Sequence, residues 1–242
     1  MRTVAAALVI GLAVLGSGGS ALAQYDEIVV TASRYEDRYQ DFVLPHVAIK
    51  RRADFAVAEM TIESDSRDLR LRRDELEQTL ADLGRRARAA GSVTVALLEE
   101  SEEDEGETRV KPFGVEEALE AIGGGTRPDT SRVTVLLRTA ISADDTLEAV
   151  DARLDAFVRQ LPKPGRITLS VGSADLTLVD PAQYRAPLIA AIGTDARAII
   201  GAVGTGQAVE IEGLENRVAW RRSGDLELTV FVPHRLRIVP GR

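Results

Sequence analysis

Alternation is the first signal along this chain. From Val47 to Ile62, after Pro45, polar and apolar residues follow a period of two. Phe55, Val57, Glu59 and Thr61 fall on one side, and Ala56, Ala58, Met60 and Ile62 on the other. That pattern predicts a long first strand. The period then changes: Leu69, Leu76, Leu80, Leu83 and Ala87 recur at spacings of 7, 4, 3 and 4. This predicts an amphipathic helix from about Arg67 to Ala90, opened by the capping turn Ser64-Asp65-Ser66 and stopped by Gly91. Val93 to Leu97 reads as a strand, and Val115 to Ile122 as a short helix closed by Gly123-Gly124-Gly125. Thr126 to Asp129 is a turn. Val133 to Thr139 is a strand with Val133, Val135 and Leu137 inward.

A second long helix spans about Asp144 to Leu161 on the seam Leu147, Val150, Leu154, Phe157 and Leu161. Strands Ile167–Val171 and Leu176–Val179 follow, then a third helix from Pro181 to about Val203. Its inward stripe reads Tyr184, Leu188, Ile192, Ile199 and Val203. Three strands close the chain, Ala208–Leu214, Arg217–Arg222 and Leu226–Arg237. Their links Glu215-Asn216 and Ser223-Gly224-Asp225 are short enough for hairpins. Helices interspersed among alternating strands predict an α+β fold, with mainly antiparallel sheets and three amphipathic helices packed on them.

The first residues follow another logic. Arg2 precedes the apolar run Val4–Leu15, Gly16–Ser20 breaks it, and Ala21 and Ala23 occupy processing positions. This is the layout of a cleaved signal peptide, and the run is too short to span a bilayer. The expected organisation is a signal peptide over 1–23, a flexible arm over 24–44 and one α+β domain over 45–242. The mature product is expected to be periplasmic, without a transmembrane segment or a lipid anchor.

Composition narrows the chemistry. With 30 basic and 38 acidic residues the chain carries a formal charge of −8, which disfavours a nucleic-acid surface. The absence of Cys excludes disulfides, thiolate metal sites and a Cys nucleophile. Only His46 and His234 are available for imidazole chemistry, and no G-x-S-x-G elbow accompanies them. Gly201-Ala202-Val203-Gly204-Thr205-Gly206 ends a helix rather than opening one, so it reads as a stop and not a phosphate cradle. Trp220 reads as a packing residue. Glu99-Glu100-Ser101-Glu102-Glu103-Asp104-Glu105-Gly106-Glu107 lacks the ligand spacing of a calcium loop and reads as a solvated loop. Arg70, Arg72, Arg73, Arg85, Arg86 and Arg88, interleaved with Asp74, Glu75, Glu77 and Asp82, read as the exposed side of the first long helix. No catalytic, cofactor or metal residue stands out.

Two resemblances follow from particular residues. The strand and helix from Ala53-Asp54-Phe55 to Gly91, with the last helix and strand from Gln183-Tyr184-Arg185 to Glu212-Gly213-Leu214, resemble the SIMPL-domain family of exported bacterial proteins. The likeness extends over about Val47 to Val239. It implies an α+β fold, a periplasmic home and a non-enzymatic binding or assembly role, and carries over no catalytic residue. The acidic loop and the N-terminal extension depart from that pattern. Separately, Tyr25 to Arg34 resembles the TonB box of outer-membrane receptors. Glu27, Ile28, Val29, Val30 and Thr31 would then pair as an added strand with a partner's sheet edge. The expected partners are a second copy of the chain or an envelope protein such as TonB. The remaining alternative is a hydrolase with a site these patterns do not reveal.

If the export reading holds, N-terminal sequencing of the secreted protein finds Gln24 first. A product starting at Met1 in the membrane fraction contradicts it.

Overall fold

The computed structural model describes residues 45–100, 108–204 and 206–241. The expected signal peptide over 1–23, the expected arm over 24–44 with Glu27–Thr31, and the acidic residues 101–107 lie outside them. The chain is α+β, and among the described residues every strand pairing is antiparallel.

The strands are β1 Ile49–Arg52, β2 Phe55–Ser64, β3 Val93–Glu100, β4 Thr108–Pro112, β5 Gly123–Gly124 and β6 Ser131–Ala140. Then come β7 Ile167–Val171, β8 Asp175–Thr177, β9 Gln207–Glu212, β10 Ala219–Arg222, β11 Glu227–Phe231 and β12 Arg235–Pro240. The helices are α1 Leu69–Ala90, α2 Val115–Glu120, α3 Leu147–Arg159 and α4 Arg185–Val203, the last preceded by a 3₁₀ turn, Pro181–Tyr184.

The main sheet runs β4-β3-β6-β2-β7, with β5 beside β6 and β8 beside β2. β2 and β6 pair along their full lengths, from Phe55 opposite Ala140 to Ser64 opposite Ser131. Alternation puts Ala58, Met60 and Ile62 of β2 on the same face as Val133, Val135 and Leu137 of β6. Leu76, Leu80 and Leu83 of α1, Ala118 of α2, and Leu154 and Phe157 of α3 close over them. A second core joins α4 to a smaller sheet, β1-β11-β10. Tyr184, Leu188 and Ile192 meet Trp220, Leu228 and Val230 there. A third sheet is the two-stranded ribbon β9-β12.

Several expectations need correction. The long first strand is two strands in two sheets, separated at Ala53-Asp54. The Ala53 N–H bonds Leu226 O at 2.9 Å, the Asp54 N–H bonds Thr177 O at 3.0 Å, and Asp54 O accepts from the Ile141 N–H at 2.9 Å. Three tertiary bonds on two residues outweigh a local pattern that has no Gly or Pro to mark the break. The capping residue of α1 is Asp68, which accepts from the Arg70 and Leu71 N–H groups, rather than the 64–66 turn. Leu69 is exposed, so the inward stripe of α1 begins at Leu76. The last strand is broken at Pro233, and β9 pairs with β12, not with β10. Glu215-Asn216 is therefore no hairpin link, whereas Ser223-Gly224-Asp225 does join the paired β10 and β11.

Leu154 is 3% exposed in the first core. Leu154→Ala is expected to cost about 2–5 kcal/mol, read as a lowered midpoint in chemical denaturation. An unchanged midpoint would mean that α3 does not seal this core.

Candidate functional site: an apolar arm beside closed polar clusters

Asp68 fixes the start of α1 and so aims Arg72 and Glu75 at one end of the main sheet. Both are buried, which corrects their reading as part of an exposed charged surface. Glu75 accepts from Ser64 Oγ at 2.5 Å, from Ser66 Oγ at 2.8 and 3.0 Å, and from the Arg166 N–H at 3.3 Å. Gly165, at φ +57°, leaves room for that carboxylate; a Cβ there would stand 1.9 Å from it. Arg72 donates to Ser131 Oγ at 3.1 Å and to Ser66 O at 2.8 Å. Nearer solvent, Asp65 takes two bonds from Arg166, at 2.6 and 3.0 Å, and one from Arg127 at 3.2 Å. The Arg166 bond, aided by the charges of Arg166 and Arg127, lowers the Asp65 carboxyl against a smaller opposing effect of burial.

A hydroxyl hydrogen-bonded to a carboxylate resembles an activated nucleophile. Ser64 is 0% exposed and Ser66 2%, however, so no substrate carbonyl reaches them. The cluster is a brace. A second one holds the opposite end of the sheet. Arg153 bonds Asp145 at 2.6 Å, Thr139 Oγ1 at 3.2 Å and Ala140 O at 2.8 Å. Arg52 reaches Ser142 O at 3.0 Å and Asp145 O at 2.5 Å. The Ser142 N–H lowers Asp145 most, ahead of Arg153.

The imidazoles are not brought together. His46 is exposed ahead of β1. His234 is buried, with Nδ1 2.8 Å from Val232 O. A carbonyl only accepts, so that nitrogen carries the proton. Trp220 packs in the second core facing α4, and Gly201 and Gly204 lie at the end of α4. Arg86 is half-buried, with its guanidinium 5.8 Å from the Phe157 ring centre, while Arg70, Arg73, Arg85 and Arg88 are exposed. Among the described residues no group of three or more His, Asp or Glu is placed to hold a metal.

What remains open is apolar. Along α4 only Leu188, Ile192 and Ala196 are buried. The predicted stripe continues to Ile199 and Val203, but the body ends first, leaving Ile200 39% and Val203 40% exposed. By length and composition, Pro181–Val203 is the one stretch among the described residues that would also cross a membrane.

The ribbon follows α4. One of its faces carries Val209 and Ile211 opposite Ile238 and Leu236; the other sets Glu210 opposite Arg237 and Glu212 opposite Arg235. Ile211 packs on the second core, so the apolar face is turned to α4. Ile238, at 54%, is uncovered.

α4 and the ribbon β9-β12 together form a projecting C-terminal arm, tied at both ends. At its base Arg185 donates to Leu214 O and Asn216 O, and Asn216 Nδ2 donates to Pro233 O at 2.8 Å. Gly213 sits in the gap at φ +88°, where a Cβ would lie 2.7 Å from Pro233 O. At its tip the Gly241 N–H bonds Gly206 O at 2.7 Å. Arg185, Asn216 and Ile238 were not among the candidates from sequence. Their signal was Pro233, which splits a run whose alternation resumes as Leu236 and Ile238.

The strand segment Glu27–Thr31 lies outside the described residues. Glu99 and Glu100 end β3, so the acidic stretch does not begin as loop; its residues 101–107 are outside too. Comparison with known protein families, curated proteins and solved structures finds no match to this chain.

Because the folded Asp65 titrates below its ordinary value of 3.8, its brace stabilises fully above that value. The stabilisation is lost as pH falls through the folded pKa. The melting-temperature gap between wild type and Asp65→Asn should hold at neutral pH and close in acid. A gap that stays constant down to pH ~2 refutes the role assigned to the carboxylate.

Proposed function

We propose that this protein is an exported, periplasmic, SIMPL-like protein that acts by binding or assembly in the cell envelope and catalyses no reaction. The arm of α4 and β9-β12 is its contact surface. One observation carries this reading. Ser64, Ser66, Arg72 and Glu75 are spent on one another, whereas Ile200, Val203 and Ile238 stay exposed on one continuous module. An enzyme needs reactive groups open to substrate. A contact surface needs exposed apolar side chains on a rigid support, which Arg185 and Asn216 supply here. The signal-peptide layout of residues 1–23 and the α+β architecture support the envelope and SIMPL-like parts of the reading.

The test compares wild type with Ile200→Asp/Val203→Asp in crosslinked envelope fractions. Both positions are exposed, so the melting temperature should stay within a few degrees. Recovery of the crosslinked complex should fall by about tenfold or more. Unchanged recovery would remove the arm as the contact surface.

A further inference from the structure

We propose that the open edge of β12 pairs with the same edge of a second copy. The result is a two-fold dimer with a continuous antiparallel sheet, β9-β12-β12-β9, backed by one α4 from each copy. This rests on the reading of the arm as a contact surface and names its occupant.

The hydrogen-bond phase of the ribbon shows what that edge offers. Gly241 N–H bonds Gly206 O, so residues 206 and 241 form a bonded pair. Bonded and non-bonded pairs alternate in an antiparallel ladder. Val239 with Ala208, Arg237 with Glu210 and Arg235 with Glu212 are then the bonded pairs. Leu236, Ile238 and Pro240 turn their backbone groups away from β9. Pro240 fits this phase, since it has no N–H to give β9. The open edge of β12 thus presents Leu236 and Ile238 with donor and acceptor, and the Pro240 carbonyl. No described strand lies against it. A two-stranded ribbon alone is marginal, and added strands with a common apolar face stabilise it.

Packing selects β12 over β9. α4 packs over β9. Joining two β9 edges would bring two α4 helices to one strand spacing, about 5 Å, below the 8–10 Å that packed helices need. Joining two β12 edges leaves three spacings, about 14 Å, which admits both helices. Head-to-tail addition of β9 to β12 would match Glu with Arg, but both bodies would then hang from the same side. They would sit about 10 Å apart and be rotated by ~45°. A body of this length is roughly 40 Å across, so the two would collide. A two-fold axis normal to the ribbon sends the bodies to opposite ends and keeps both apolar faces on the α4 side.

Charge then fixes the register. Centred on Arg237 the pairing would set Arg237 against the partner's Arg237, and centred on Leu236 it would set Arg237 against the partner's Arg235. Centred on Ile238, Arg237 meets the partner's Val239, and each Arg keeps its own Glu neighbour, as in the 3.5 Å Arg237–Glu212 pair. Ile238 then meets the partner's Ile238 in a doubly bonded pair. Each Leu236 N–H reaches the partner's Pro240 carbonyl.

The natural chain has no Cys, so single cysteines report the interface directly. In the full exported protein Ile238→Cys places two Cα atoms about 5.5 Å apart, as in any bonded pair, inside the Cα range that a disulfide spans after a small side-chain adjustment. Arg237→Cys meets its counterpart only on the diagonal, at about 7–8 Å, and Val209→Cys lies three strands away. Mild oxidation should give covalent dimer from Ile238→Cys at least about tenfold faster than from the other two. Wild type should sediment at twice the chain mass, and Ile238→Asp at the chain mass with an unchanged melt. Equal crosslinking at all three positions, no crosslinking at residue 238, or a dimer that survives Ile238→Asp overturns the proposal. A monomeric wild type whose envelope complex still depends on Ile200 and Val203 overturns the dimer and leaves the contact-surface reading standing. A monomer with no such dependence overturns both.

Discussion

Two residues, Ala53 and Asp54, hold the architecture in register. Their backbone groups bond Leu226, Thr177 and Ile141, and the Asp54 carboxylate accepts from the Val179 N–H at 2.9 Å. Through them β1 leaves for the small sheet while β2 enters the centre of the large one. Without that step the chain would continue as one strand, and Ile49 could not lie opposite Val230 in the second sheet. The two cores, the placement of α4 on the second and the projection of the arm all follow from this redirection.

The energetics divide the polar interactions in the same way. Exposed ion pairs such as Arg159–Asp155, at 3.6 Å, are worth less than about 1 kcal/mol and do not hold the fold together. Glu75 differs, because it is a buried carboxylate. Leaving it without Ser64, Ser66 and the Arg166 N–H would cost the desolvation of a charge, more than the roughly 1–3 kcal/mol of a neutral orphaned group. That asymmetry explains why so many donors converge on one acid and why Gly165 faces it. The same satisfaction removes the cluster from chemistry, since every group that would have to move a proton is already committed and covered.

Local periodicity made most elements readable, because α1 and α3 each bury one stripe and β2 and β6 set their main core residues on one face, with only Val57 and Leu136 buried on the other. The seam Val150, Leu154, Phe157 and Leu161 is buried as its spacing implies. What failed to show were decisions made by distant partners. Arg72 and Glu75 sit among charges of both signs, and nothing local separates them from Arg73 or Glu77. Their burial depends on Ser64 of β2, Ser66 in the link that follows it and Ser131 of β6 arriving together. The pairing of β9 with β12 likewise depends on Arg185 and Asn216 holding the chain turn at Leu214 and Pro233. Ile199 and Val203 continue a helical stripe that outruns the body, and a stripe in sequence carries no information on where its support ends.

The arm therefore stands in tension between rigidity and exposure. Arg185, Asn216 and the Gly206–Gly241 bond fix both ends of the ribbon, yet Ile238 in its middle stays uncovered. Natural edges are commonly blunted by charge, bulges or proline. β12 carries Arg235 and Arg237, which lie opposite Glu212 and Glu210, and Arg237 pairs with Glu212 at 3.5 Å. Pro240 removes one donor at the tip and leaves Leu236 and Ile238 intact. Protection is thus confined to the end of the strand, and its centre, where Ile238 projects, is the part left able to pair.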